Sequence, residues 1–377
     1  MSTYLDCAAT TPIDPRVRDV VVRFLDDEFG NAGSRTHAFG RRARQAVERA
    51  RDQIAAVVGC TRGEVVFTGG ATESNNLAIL GLTDHGRRTN RLHVVSTQIE
   101  HNAVLEPLQH LASRGFELTL IPPTPAGHVD PERVRAAVRP DTLLVSVMQV
   151  NNETGVIQPV ADIADALADH PAYFHVDAAQ GFGKDIDALR NSRVDLISIS
   201  GHKLCAPKGI GALIARRRDG DRPPLAPLTF GGGQERGLRP GTLPVPLIAG
   251  FGLAAELAAS EWATRREHGI AFRARALAAL SPLDPVVNGD PARTLPNILS
   301  VSIPNIEAEE AMDALDGTIA ISNGSACTSH ALACSHVLGA MGLSTEQSAG
   351  TLRLSWCHLT PEPDWDAVVR ILRGLRG

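Results

Sequence analysis

The stretch Val194-Asp195-Leu196-Ile197-Ser198-Ile199-Ser200-Gly201-His202-Lys203 reads as a buried strand that ends in small and polar residues. Such an ending brings Ser200, His202 and Lys203 to the carboxyl edge of a sheet, where open α/β sheets build their sites. Lys203 is one of only three lysines among 37 basic residues, in a chain that otherwise writes its positive charge as arginine. Arginine cannot give up its proton, whereas a partly desolvated lysine can, and can then condense with an aldehyde. On spacing alone Lys203 is either such an amine or a lysine on a surface turn.

Upstream and downstream of this stretch, strand-like runs alternate with helical ones. They fall at Val65 to Thr68, His93 to Ser96, Leu118 to Ile121, Leu143 to Met148, Phe174 to Asp177 and Gly211 to Ala215, the pattern of a mostly parallel sheet covered by helices. Before the first of them, Asp14-Pro15 opens a helix that Gly30 closes, and a second helix runs through Ala43, Val47, Ala50 and Ile54 to stop at Gly59. After an alanine-rich helix around Gly252 to Arg266 the texture changes. Short strands near Leu299 to Ile303, Ile319 to Ser322 and Thr351 to Ser355 alternate with helices, the last opened by Thr360-Pro361. The fold class is α/β, with a large domain over residues 14–257 and a smaller α+β domain formed by 1–13 and 258–377.

Length and a 43% apolar composition allow a large core, and the net charge of -5 gives no global field that favours nucleic acid or an acidic membrane. The six cysteines lack the dense spacing of a secreted disulfide framework, which favours a reducing, cytoplasmic setting. Cys7, Cys60, Cys205 and Cys357 read as small buried hydrophobes. The opening Met1 to Asp6 has neither the basic residues nor the apolar centre of a signal peptide, and no apolar run approaches the roughly 20 residues of a membrane span. Arg216-Arg217-Arg218 sits in a proline-bounded loop, either a solvated tip or a contact for an acidic partner.

Four further stretches carry chemistry. Thr68-Gly69-Gly70-Ala71-Thr72 is a strand end, a glycine turn and a helix start, whose free N–H groups and Thr72 hydroxyl suit a phosphate. Asp177 ends a strand; it could bind metal, cap a helix or hold a proton on a pyridine nitrogen. His101 follows another strand and either stacks on a ring or is structural. Ser322-Asn323-Gly324-Ser325-Ala326-Cys327-Thr328-Ser329-His330 sets Cys327 among small polar residues, as a reactive thiol requires. Cys327, His330, Cys334 and His336 could instead be metal ligands, although their spacing matches no common zinc site. A lysine, an acid, an imidazole and a phosphate turn at the strand ends of one sheet are together the means of handling pyridoxal phosphate.

With these residues assembled, the chain resembles the cysteine desulfurases, long-loop enzymes of the class V pyridoxal-phosphate family with fold type I. The resemblance rests on Gly70 to Asn76, Glu100-His101, Asn151 to Gly155, His175 to Gln180, Ser200 to Lys203, Arg239 to Thr242 and Gly324 to Ser329. Cys7 and Pro240 depart from the usual pattern. The resemblance implies that Lys203 holds the cofactor covalently, Asp177 pairs its ring nitrogen, Gln180 its phenolic oxygen, and His101 stacks on the ring. It places Ala71, Thr72, Ser200 and His202 around the phosphate, joined by Thr242 from the partner subunit of a homodimer. Asn152 and Arg353 would hold the substrate carboxylate. Cys327 would take sulfur from L-cysteine as a persulfide, leave L-alanine, and pass the sulfur to an acceptor protein serving iron–sulfur assembly, tRNA thiolation or DNA phosphorothioation. Neither a metal, nor direct contact with nucleic acid, nor a membrane is expected.

Overall fold

Seven strands form the central sheet of the protein, known here from a computed structural model that describes residues 2–324 and 335–376. After a two-residue strand β1 (Thr3–Tyr4), the strands are β2 (Val65–Thr68), β3 (His93–Thr97), β4 (Glu117–Ile121), β5 (Thr142–Met148), β6 (Tyr173–Asp177), β7 (Leu196–Ser200) and β8 (Gly211–Ala215). Their order is β2-β8-β7-β6-β5-β3-β4, and all run parallel except β8, which is antiparallel to both of its neighbours. Every residue of β5 and β7 is buried, as strands covered on both faces must be, and this is why they read as near-continuous apolar runs. β6 ends at Asp177 opposite Ser198, and β7 runs on two residues to Ser200, so the sheet itself fixes the spacing of Asp177 and Ser200.

Helices pack on both faces. The helix Ala38–Val58 lies against Val245–Ser260 so closely that a Cβ on Gly252 would stand 2.6 Å from Ala50 Cα. One buried ion pair ties this layer to the sheet edge. The Arg51 guanidinium donates to both oxygens of Glu235 and to the Val65 carbonyl, while Glu235 also accepts the Phe67 N–H at 2.7 Å. Such a pair is fully committed: with its remaining donors and acceptors satisfied, it fixes the segment around Glu235 to β2.

A second apolar core gathers Leu5, Phe272, Leu299, Leu354 and Trp356. It surrounds an antiparallel sheet of β9 (Val286–Val287), β10 (Ile298–Ser302) and, after the short β11 (Ile319–Ala320), β12 (Thr351–Ser355), with β10 in the middle. Phe272 stacks on Trp356 at 4.7 Å. β1 pairs in parallel with β11, and Leu5 O accepts from Ser355 N, so the opening residues belong to this core.

Three local expectations need correction. The first helix ends at Asp26, well before Gly30. The alanine-rich region is two helices, Val245–Ser260 and Trp262–Leu280, broken at Glu261. The final helix is Trp365–Gly374, capped by Asp364, whose carboxylate accepts from Ala367 N. Thr360 does not cap it, because its hydroxyl accepts the Cys357 N–H, and Pro363 biases Glu362 away from helical geometry. Among the described residues no helix is long and apolar enough to cross a membrane.

Candidate active site

The carboxyl ends of β2, β6 and β7 open into one cavity of about 1010 Å³. Ala71, Thr72, His101, Asn152, Asp177, Gln180, Ser200, His202, Lys203 and Arg353 all line it, although the sequence spreads them over almost three hundred positions. Thr242 does not. It is exposed and faces a separate depression with Asn31 and Glu235. Cys327, with His330 and Cys334, lies outside the described residues.

Lys203 closes a one-turn 3-10 helix, Gly201–Lys203, directly after β7. Its Nζ donates to Ala8 O at 2.5 Å and Ala9 O at 2.7 Å, carbonyls of the opening segment where it crosses the strand ends. That crossing is pinned from both sides. Thr11 N and Oγ1 donate to His202 O, and Thr11 Oγ1 accepts from Cys205 N. His202 Nδ1 lies 3.2 Å from Thr10 Oγ1, and burial, with Lys203, Lys208 and Lys184 nearby, pushes its pKa down to about 4. It is therefore a neutral ring at pH 7.

Asp177 is buried, and both oxygens are held: Oδ2 accepts from Asn75 Nδ2 at 2.7 Å and Oδ1 from Ala179 N at 2.9 Å. One lone pair on each oxygen remains to face the cavity. His101 caps the helix Asn102–Ser113, its Nδ1 accepting from Ala103 N at 3.0 Å, so in the neutral ring the proton sits on Nε2. Beside it, Glu100 is completely buried. Its Oε1 accepts from Thr97 Oγ1 and Met148 N, Oε2 has no partner among the described residues, and burial pushes its pKa up to about 8.

The glycine turn does what its sequence suggests. Gly70 adopts φ 155° and starts the helix Ala71–Leu80 without a side-chain cap, leaving the first-turn amides toward the cavity. A Cβ on Gly211 would stand 2.6 Å from Gly70 Cα, so the approach of β8 to this turn requires glycine. At the opposite end Arg353, on β12, is buried; Nη2 pairs with Asp6 Oδ1 at 2.6 Å, Nη1 donates to Asn152 O at 3.0 Å, and Nε has no partner among the described residues. Gln180 Nε2 donates one hydrogen to Ala8 O, and Oε1 has no partner among the described residues. The second Nε2 hydrogen is the one its implied role toward a phenolic oxygen requires.

Asn75 and Asp6 escaped attention in the sequence as individual site residues. Both lie in stretches that carry the resemblance or adjoin it, but only the fold shows that Asn75 holds Asp177 and that Asp6 holds Arg353. The four described cysteines also differ from expectation. All are free thiols, but only Cys7 and Cys205 are buried, while Cys60 and Cys357 are partly exposed.

The match to known proteins covers the same residues. The model of the aminotransferase class-V family matches residues 3–368. The chain belongs to this family. The mitochondrial cysteine desulfurase of Arthroderma benhamiae is 45% identical over 372 residues, 98% of this chain and 73% of that protein. The solved structure of DndA from Streptomyces lividans is 51% identical with a TM-score of 0.82, covering 94% of this chain and 99% of the other. A structure of SspA in complex with cysteine is 36% identical with a TM-score of 0.83, covering 94% and 98%.

The cofactor of this class-V enzyme is pyridoxal phosphate, and the cavity fits it. An amine at Lys203, a buried carboxylate at Asp177, uncapped amides with the Thr72 and Ser200 hydroxyls, the Gln180 amide and the Arg353 guanidinium line the cavity with the polar groups that a charged, ring-shaped ligand requires.

Proposed function

We propose that the chain is a cysteine desulfurase that takes L-cysteine, releases L-alanine and leaves the sulfur on Cys327 for an acceptor protein. The observation that carries this reading is the placement of Arg353 and of Gly324, three residues before Cys327, on the cavity that holds Lys203 and Asp177. Bound pyridoxal phosphate supplies an aldehyde for the amine and a ring that takes up electrons from the substrate Cα. Asp177 keeps a proton on the ring nitrogen. Arg353 and Asn152 fix the substrate carboxylate, so that its Cα faces Lys203 Nζ, which removes the α-proton. The ring of His101 covers the reacting face. The Cys327 thiolate then attacks the substrate sulfur: a new S–S bond forms, the substrate C–S bond breaks, and Cys327 is left as a persulfide.

The cofactor-binding domain spans residues 14–257, and the smaller domain joins residues 1–13 to 258–377, a division supported by the apolar cluster that Leu5 shares with Phe272, Leu299 and Trp356. The active form is a homodimer in which Thr242 serves the partner's phosphate. Its exposure, and a fully exposed Phe230 on the same loop region at 88%, support this. Four free thiols support a reducing, cytoplasmic setting.

The test is Cys327→Ser. It should keep the near-visible absorbance of bound cofactor and its change on adding cysteine, yet lose alanine and sulfide formation by orders of magnitude. Mass spectrometry of the wild type after cysteine should find one added sulfur on the Cys327 peptide. Normal turnover by the variant would leave an aminotransferase or lyase as the reading.

A further inference from the structure

Lys203 also lines a second, smaller cavity of about 70 Å³. Cys7, Cys205, Cys357 and His358 line it, brought there from the opening segment, the turn after β7 and the chain just beyond β12. The Cys205 sulfur, the Cys357 sulfur and a ring nitrogen of His358 all lie within 4.8 Å of one another, and among the described residues no other group of three such donors converges. Thr360 Oγ1 stands 3.7 Å from Cys357 Sγ and 3.9 Å from Cys7 Sγ. Nothing in the desulfurase reaction uses these groups.

We propose that Cys205, Cys357 and His358, with Cys7 as the fourth donor, form a binding site for a thiophilic d10 cation of the zinc type. Metal–sulfur bonds of about 2.3 Å and metal–nitrogen bonds of about 2.0 Å set tetrahedral donors roughly 3.6 to 3.8 Å apart. The separations among Cys205, Cys357 and His358, none above 4.8 Å, need to close by about 1 Å to reach them, and Cys7, on the same cavity but outside that group, has further to move. Three sulfurs and one imidazole are the donor set of a closed structural zinc site. His358 is already oriented as a ligand of that kind would be. Its Nε2 lies 3.3 Å from Asp14 Oδ2, the carboxylate contact that a metal-bound imidazole makes through its other ring nitrogen.

Binding sends the three thiol protons to the buffer and leaves three thiolates and a divalent cation with one net negative charge, in a cavity that Lys184 and Arg265 also line. Cys205 holds φ 60°, unusual for a residue with a side chain, and its N–H is fixed by Thr11 Oγ1 at 2.9 Å. A cation here would bind the turn that carries Lys203 to both ends of the chain.

The inference does not depend on the desulfurase reading. Its test uses untagged, cofactor-loaded protein in a Cys327→Ser/Cys334→Ser background, so that the loop thiols cannot contribute. After incubation with zinc and desalting, elemental analysis should find one zinc per chain. Cys205→Ser and Cys357→Ser should each retain less than a tenth of that, and Cys60→Ser all of it. Cobalt in place of zinc should give sulfur-to-metal charge-transfer bands. Because a variant can fail to fold, the background protein is also alkylated with and without zinc. The peptides of Cys7, Cys205 and Cys357 should be protected by zinc, and that of Cys60 should not. Absence of retained metal, zinc retention unaffected by both substitutions, alkylation unaltered by zinc, or a Cys205–Cys357 disulfide in place of the metal would each overturn the proposal.

Discussion

Glu100→Gln should raise the stability of the protein by an amount that grows with pH. The Glu100 carboxyl is wholly buried, and burial is the largest cause of a folded-state pKa of about 8 against an ordinary 4.5; bonds from Met148 N and Thr97 work the other way. Because the folded value is raised, the carboxyl contributes fully to stability below 4.5, where both states are protonated, and loses that contribution as pH rises toward 8. Between the two values only the unfolded chain ionises, which pulls the equilibrium toward unfolding. At 1.36 kcal/mol per unit, the wild type gives up about 1.5 kcal/mol at pH 5.5, about 3 at pH 7 and about 4.5 at pH 8.5. Glutamine cannot ionise. Its oxygen still accepts from Thr97 and Met148, and its NH₂ takes the place of an Oε2 that has no partner among the described residues. Thermal unfolding of the cofactor-loaded protein, variant against wild type, should therefore show a Tm gain of several degrees at pH 8.5 that shrinks toward pH 5.5. Taking the difference at each pH cancels the other titrating groups. A gain independent of pH, or a variant less stable than wild type at pH 8.5, would refute the reasoning.

Glu235→Ala should lower stability by roughly 3–5 kcal/mol, because it leaves the buried Arg51 guanidinium with only the exposed Glu48 carboxylate, at 3.3 Å, to offset it; chemical denaturation of the variant checks this, and a loss under 1 kcal/mol would show that the pair relaxes into water. Arg353→Lys should raise KM for cysteine at least tenfold with a smaller change in kcat, since one ammonium cannot serve Asp6, Asn152 and a carboxylate at once; steady-state kinetics decide. Lys203→Ala should abolish both turnover and borohydride-sensitive near-visible absorbance. Retention of that absorbance would move the role to Lys208, which also lines the cavity.

Much of this was legible because it rests on short-range rules. β2, β7, β8 and β12 fall where continuous apolar runs meet small or polar residues, and Gly59 ends its helix in a left-handed conformation, φ 70°. What the chain pattern misses is of two kinds. β1 and β9 are two residues long, too short to show a period, and exist because neighbours pair with them. The start of the last helix was misplaced because Thr360-Pro361 satisfies the capping pattern while Cys357 claims the hydroxyl and Pro363 delays the helix. The site was read as a set of strand ends, which topology brings together; its supports, Asn75 under Asp177 and Asp6 under Arg353, are contacts between remote elements that no local spacing encodes. The same holds for the thiols of Cys7, Cys205 and Cys357, which as isolated letters look like core filler.

The crossing of residues 5–11 over the strand ends has a consequence for biosynthesis. Lys203 is held by the carbonyls of Ala8 and Ala9, yet the segment that carries them is tied down by β11, Arg353 and Ser355, near the end of the chain. At a synthesis rate of about 5–20 residues per second, these opening residues wait roughly 15 to 60 s for their partners to emerge. The seven-stranded sheet can form in that interval, but the wall of the cavity that faces Lys203 cannot. On the ribosome this protein is a folded scaffold with an unfinished site until β11 and β12 have been made and have tied down the segment that meets the lysine.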